Sequence, residues 1–190
     1  MLRPKVVTWH DAAGESRWVA AVIRVGEDFL WTRIKTPQHL WVQLAPRADH
    51  QIGFQELLGL VLLLGTFSKQ LPGTAWVSFG DNDGVTHAVA KGEGHNEECN
   101  LVIGKGWLEV ARLDCDLHVA RVESKANIAE GPSRVEFCFL DDLGEEYVPP
   151  VLPSWFNDIW AILSVAKQCG CIMLGYWCLM LSLGILSCLP

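Results

Sequence analysis

The sequence predicts an α/β domain built around a mixed five-stranded sheet. Three observations support this prediction: three β-rich runs separated by short turns open the chain, a long apolar segment follows, and later β-rich and helical segments alternate. Strands joined by short turns pair antiparallel, whereas strands joined through helical crossovers favour parallel pairing. Apolar residues make up 50% of the 190 residues and charged residues 19%, which excludes intrinsic disorder for most of the chain.

The first three strands are predicted from short β-rich runs. They cover residues 6–9, 17–25 and 29–34. Residues 12–16 and Gly26-Glu27-Asp28 separate these runs as turns, which indicates an antiparallel meander. Residues 41–44 are interpreted as a further extended piece.

A long buried helix is predicted over residues 51–71. This segment is apolar nearly all round, which implies burial on more than one side, and Pro72-Gly73 ends it. The remaining predicted elements are a strand at 75–79, a short helix at 85–91, a helix at 96–113, a strand at 117–123 and a helical turn at 126–130. The helix at 96–113 is expected to bury Ile103, Trp107 and Val110 along one stripe.

The charge balance is acidic, with 22 Asp and Glu against 15 Lys and Arg and a net charge of -7. This disfavours a sequence-independent nucleic-acid clamp, which needs Lys and Arg to displace counterions. It leaves room for an enzyme that reaches phosphates through a bound metal ion. No basic protrusion is evident, and the nine Trp are interpreted as core packing rather than as a base-stacking array.

The seven Cys are irregularly spaced and form no C-x-x-C motif. This pattern indicates free thiols in an intracellular, reducing compartment, the cytoplasm or the nucleus, with a zinc site or disulfides as the alternative.

The C-terminal region differs from the rest in composition. Residues 172–189 carry no charge, and a stretch of this length reaches the threshold for a transmembrane helix. The alternatives are a non-native extension and a helix packed on the domain. The predicted organisation is a domain over 1–135, a C-terminal flank over 136–160 and an apolar tail over 161–190, with a membrane as partner if the tail spans it.

Four carboxylates occupy informative positions. Asp11 ends the first strand, Glu56 lies inside the apolar helix, Asp81 follows the fourth strand, and Glu130 lies in the turn after the fifth. A charge in the setting of Glu56 is costly without a partner. A convergent acidic cluster binds hard divalent cations such as Mg²⁺. Taken singly, each of the four is equally consistent with a turn, a solvated helix edge or the surface.

Four segments resemble the ribonuclease H-like domain of retroelement reverse transcriptases. They are WHDAAG at 9–14, FQELL at 54–58, FGDN at 79–82 and RVESKANIAEGPSR at 121–134. The last is the most specific, because it is similar in nearly every position to the closing S-K-x-N-x-A-D-x-P-S-R segment of that family. The resemblance covers residues 5–160 and implies a ribonuclease H-like fold with an additional apolar tail.

The resemblance implies a two-metal nuclease that hydrolyses the RNA strand of RNA–DNA hybrids. Asp11 would bridge two Mg²⁺ ions, for which Mn²⁺ could substitute, while Glu56 and Asp81 complete one site and Glu130 the other. The implied partners are the hybrid itself and a polymerase domain, separate or lost. Lys125 and Arg134 are expected near the substrate backbone.

One departure from the family pattern affects the site. Glu130 stands where the family has Asp, and its extra methylene adds roughly 1.5 Å of reach. A misplacement of about 1 Å can cost ~10²-fold in rate. The alternative function is therefore a catalytically degenerate domain of the same fold that binds nucleic acid weakly at most.

Overall fold

The computed structural model describes residues 2–44, 51–137 and 145–159. The chain divides into two compact units, Met1–Pro153 and Ser154–Pro190. In the first unit, six strands form one sheet in the order β5-β4-β1-β2-β3-β6. The strands are β1 (Lys5–Ala13), β2 (Trp18–Val25), β3 (Asp28–Lys35), β4 (Ala75–Gly80), β5 (Asp116–Arg121) and β6 (Glu146–Tyr147).

Five α-helices and one 3₁₀ turn accompany the sheet in the first unit. The helices are α1 (Gln38–Leu44), α2 (Gln51–Thr66), α3 (Asp83–Lys91), α4 (Glu97–Arg112) and α5 (Glu130–Ser133), and the 3₁₀ turn is Ser124–Ala126. In the second unit, residues 154–159 are helical.

The predicted mixed α/β sheet is confirmed. β1, β2 and β3 pair antiparallel as a meander, whereas β4 and β5 run parallel to β1. The parallel pairs follow from the connections, because α2 joins β3 to β4 and the α3–α4 pair joins β4 to β5. The sheet has six strands rather than five, since the two-residue β6 pairs parallel with β3 and is too short to leave a periodic pattern.

Residues 41–44 are helical, so the predicted extended piece is wrong. They belong to α1, which begins directly after Pro37. The fixed φ of proline suits a helix start, and the N–H groups of Leu40 and Trp41 both donate to the Pro37 carbonyl. A four-residue apolar run does not distinguish a strand from a helix by periodicity.

Helix α2 lies unusually close to β1. A Cβ on Gly59 would come 2.8 Å from the Cβ of His10, so only glycine permits this approach. The helix is apolar on several sides, and Leu58, Leu62 and Leu63 are fully buried, as the sequence predicts. The close packing brings the N-terminal half of α2, with Glu56, to the end of β1.

The predicted apolar tail at 161–190, including the candidate span at 172–189, lies outside the described residues. Among the residues that the structure does describe, no helix is both long and apolar enough to cross a membrane.

Candidate metal centre

Three of the predicted carboxylates converge at one edge of the sheet. Asp11 lies near the end of β1, Asp81 follows the neighbouring parallel strand β4, and Glu56 approaches from α2. One oxygen from each residue lies within 4.8 Å of the oxygens of the other two. This grouping follows from topology, because the carboxyl ends of adjacent parallel strands meet at the same edge of a sheet.

Burial makes this cluster electrostatically unfavourable without a cation. Glu56 is 3% exposed and Asp11 is 4% exposed. Burial, reinforced by the neighbouring charges of Asp11 and Asp81, raises the pKa of Glu56 to about 9. Burial likewise raises the pKa of Asp11 to about 6, although a hydrogen bond from Ser133 acts in the opposite direction. A divalent cation would remove the repulsion that helps to raise both pKa values.

The cluster also has unused ligand capacity. Glu56 Oε1 accepts a hydrogen bond of 3.3 Å from the N–H of Ala12. Its second oxygen, Oε2, is buried and has no hydrogen-bond partner among the described residues. Buried carboxylate oxygens are normally paired or bound to a metal. The oxygen-only donor set and this orphaned atom therefore fit a hard divalent cation such as Mg²⁺.

The segment that closes the site orients the carboxylates through short polar side chains. The Ser124 hydroxyl donates to Asp81 Oδ2 at 2.6 Å, and the Ser133 hydroxyl donates to Asp11 Oδ2. Asn127 Nδ2 donates to the His10 carbonyl at 2.9 Å, which ties the segment to β1. Sequence reasoning matched these residues to a motif but assigned them no role. Their spacing within that motif was the available signal.

His10 has a structural role beside the site. Its ring lies between Gly59 and Gly80, and Nδ1 is 3.3 Å from the Ser78 hydroxyl. Burial lowers the pKa of His10 to about 4, so the ring is neutral at physiological pH. The sequence analysis gave this residue no role, and the two glycines that make room for it were the signal.

Glu130 lies outside the three-carboxylate group. Its Oε1 forms an ion pair of 2.8 Å with Arg134 across one turn of helix. The charge of Glu130 nevertheless contributes to raising the pKa of Asp11, so the two carboxylates are electrostatic neighbours. Of the two cations expected near the substrate, Arg134 lines the groove over the carboxylates, and Lys125 is exposed on the 3₁₀ turn.

The carboxylates open into a groove of about 630 Å³. Its walls include the β1–β2 turn, the start of α2, Asn82 and Arg134. The groove is broad and open, which suits a polymer lying across the site better than an enclosed small molecule.

Ser133→Ala is expected to weaken divalent-cation binding by about 10–100-fold, because groups that orient a metal ligand typically contribute that much. The loss of the hydroxyl also removes a hydrogen bond that favours ionised Asp11. Calorimetric titration with Mg²⁺ at neutral pH measures the effect. Ser16→Ala is the matched control, because Ser16 lines the same groove and bonds only the Ala13 carbonyl and the Trp18 N–H among the described residues. Equal affinities in the two variants would contradict the prediction.

The chain is similar to solved structures, whereas no family model and no curated protein sequence matches it. Ribonuclease H1 from the halophilic archaeon Halobacterium salinarum NRC-1 is 13% identical, with a TM-score of 0.49, over 66% of this chain and 90% of that one. LC11-RNase H1, isolated from compost by a metagenomic approach, is 11% identical, with a TM-score of 0.46, over 68% and 92%. The N-terminal RNase H domain of Rv2228c from Mycobacterium tuberculosis is 12% identical, with a TM-score of 0.41, over 74% and 96%. We base the proposed activity on the carboxylate cluster and its surroundings.

Proposed function

We propose that the chain is a Mg²⁺-dependent nuclease that hydrolyses the RNA strand of RNA–DNA hybrids. The observation that carries the proposal is the buried group of Asp11, Glu56 and Asp81, whose unpartnered Glu56 oxygen indicates a missing cation. The four motif segments support the ribonuclease H class and an origin in a retroelement reverse transcriptase, with a polymerase domain as a former or separate partner. Mn²⁺ is expected to replace Mg²⁺.

The residues of the site have separable tasks under this proposal. A divalent cation bound there supplies a water of lowered pKa and neutralises charge on the scissile phosphate. Asp11, Glu56 and Asp81 hold the cation, and Ser124 and Ser133 fix the orientation of two of them. The narrow approach of α2 to β1 keeps Glu56 at the floor of the groove.

A basic and aromatic surface flanks the groove and supports a polyanionic substrate. The Arg17 guanidinium lies 5.4 Å from the ring centroid of Trp41, and the Lys35 ammonium 5.9 Å from that of Trp18. Trp18 and Lys35 pair across β2 and β3, and Trp18 also pairs with Ala13 at the end of β1, close to Asp11. Contrary to the core packing predicted for Trp, Trp18 and Trp41 are only partly buried. This end of an acidic chain is therefore suited to a phosphate backbone.

Arg17→Gln with Lys35→Gln is expected to weaken hybrid binding and lower its salt dependence by about one in log–log slope per lost phosphate contact. Fluorescence anisotropy in EDTA measures binding without cleavage. Arg24→Gln is the matched control, because Arg24 also lies over an aromatic ring, that of Phe29, but at the opposite end of the same strands. A control variant that loses as much affinity as the test variant would contradict this assignment.

The activity is tested with the full chain and a hybrid labelled on either strand. The expected result is Mg²⁺-dependent cleavage of the RNA strand only, with RNA duplex and DNA duplex left intact, because the 2′-hydroxyl distinguishes the strands. EDTA and Asp81→Asn are each expected to abolish cleavage. Cleavage that persists in EDTA, or in Asp81→Asn, would contradict the proposed metal site.

One observation favours the alternative of a catalytically degenerate domain. Glu130, the remaining family carboxylate, is paired with Arg134 and stands apart from the other three. Binding of the hybrid by a folded protein, with no cleavage in Mg²⁺ or Mn²⁺, would favour the degenerate function over the nuclease.

A further inference from the structure

The ion pair between Glu130 and Arg134 lies at the edge of the carboxylate cluster. Arg134 Nη2 is 2.8 Å from Glu130 Oε1, and the side chains of Arg134 and Glu130 are 59% and 26% exposed. Both charges act on Asp11, since the pKa of its carboxyl is raised by Glu130 and lowered by Arg134. The pair is therefore close enough to the cation ligands to affect what they bind.

The length of the Glu130 side chain allows this pairing. Residues four apart on a helix are neighbours, and Glu placed N-terminal to a basic residue is the favourable orientation. Arg134 directly follows Ser133, which holds Asp11, and its side chain lines the groove with the three clustered carboxylates. A guanidinium thus occupies the Glu130 carboxylate on the side of the metal centre.

We propose that Arg134 and a second divalent cation compete for the carboxylate of Glu130. The first cation binds Asp11, Glu56 and Asp81, and the second binds at Glu130 only when Arg134 has released it. Arg134 thereby sets the cation concentration at which the second ion binds. This inference rests on the proposed function only in requiring that the three clustered carboxylates hold a divalent cation.

The size of the competition follows from the exposure of the pair. Exposed ion pairs contribute little, so displacement of Arg134 is expected to lower the affinity for the second ion by about two- to fivefold. A released guanidinium remains beside the groove, where it is available to a phosphate of the substrate. The exchange therefore couples occupancy of Glu130 to the position of a phosphate-binding cation.

The test counts Mn²⁺ ions bound to the full chain in the absence of nucleic acid, using the electron paramagnetic resonance signal of free Mn²⁺. Arg134→Gln is expected to tighten binding of the second ion by about two- to fivefold and to change the first by less than about twofold. Arg134→Lys, which keeps a positive charge, tests the site without removing that charge and is expected to stay closer to the parent.

Arg121→Gln is the matched control for charge. Arg121 follows the same edge of the sheet and pairs with Asp83 at 3.1 Å. Its loss removes the same unit charge without touching Glu130, so both Mn²⁺ affinities are expected to match the parent. In a Glu130→Gln background, Arg134→Gln is expected to give no gain.

Three results would overturn the competition: a second-ion affinity that Arg134→Gln leaves unchanged, an equal gain in Arg121→Gln, or a gain that persists in the Glu130→Gln background. A parent protein that binds no Mn²⁺ at all would instead overturn the metal centre on which the proposed function depends, which keeps the two failures distinct.

Discussion

Glu56→Gln is expected to stabilise the metal-free protein increasingly as the pH rises from about 5 to 9. Burial raises the pKa of Glu56 from 4.5 to about 9, so the folded chain holds a proton that the unfolded chain has released. The stability that this proton confers is complete below pH 4.5 and is lost as the pH rises towards 9. A pKa that differs by one between the folded and unfolded chains corresponds to about 1.4 kcal/mol, so the expected difference in stability at pH 9 is several kcal/mol.

Urea unfolding in EDTA at a series of pH values measures this effect. Glutamine mimics the protonated carboxyl, so the pH-dependent loss of stability in the parent is expected to be much shallower in the variant. Glu123→Gln, at an exposed position next to the 3₁₀ turn, is the control and is expected to keep the pH dependence of the parent. A Glu56→Gln protein less stable than the parent at pH 9 would show that the carboxylate is not strained.

Asp11→Asn is expected to lower Mg²⁺-dependent cleavage by more than about 100-fold. Residues that only orient a metal ligand already contribute about 10–100-fold, and Asp11 is itself a ligand in the proposed metal centre. The substitution preserves shape and removes one of three repelling carboxylates, so the fold is expected to survive. The loss is measured as kcat on a labelled hybrid at saturating Mg²⁺.

Asp83→Asn is the control for this experiment. Asp83 is exposed, lies two residues from Asp81 and pairs with Arg121, so it shares the loop but not the cluster. Its activity is expected to stay close to that of the parent. Comparable losses in the two variants would mean that local charge, rather than cation binding by Asp11, supports cleavage.

Local patterns were sufficient to predict most of the sheet. The meander of β1 to β3 follows from β-rich runs and short turns, and the parallel strands follow from helical crossovers. Helix α1 was missed because its apolar residues are too few to show a period. The pairing of β6 with β3 was missed because a two-residue strand is defined by its partner rather than by its own sequence.

The site was predictable to the level of residues but not of their contacts. The strand order places Asp11 beside Asp81, and the Gly59 contact explains why Glu56 reaches them. Whether Glu130 faces these carboxylates or Arg134 is a choice between side-chain conformations, and no sequence pattern encodes it. The exposure of Trp18 likewise depends on which face of β2 remains uncovered.

The most direct test of the metal centre is anomalous scattering from crystals of the full chain grown with Mn²⁺. We predict one strong peak within coordination distance of a carboxylate oxygen from each of Asp11, Glu56 and Asp81. We also predict that Glu56 Oε2, which has no partner among the described residues, is one of the ligands. Ordered, cation-free carboxylates at saturating Mn²⁺, or a peak that involves none of the three, would contradict the metal centre.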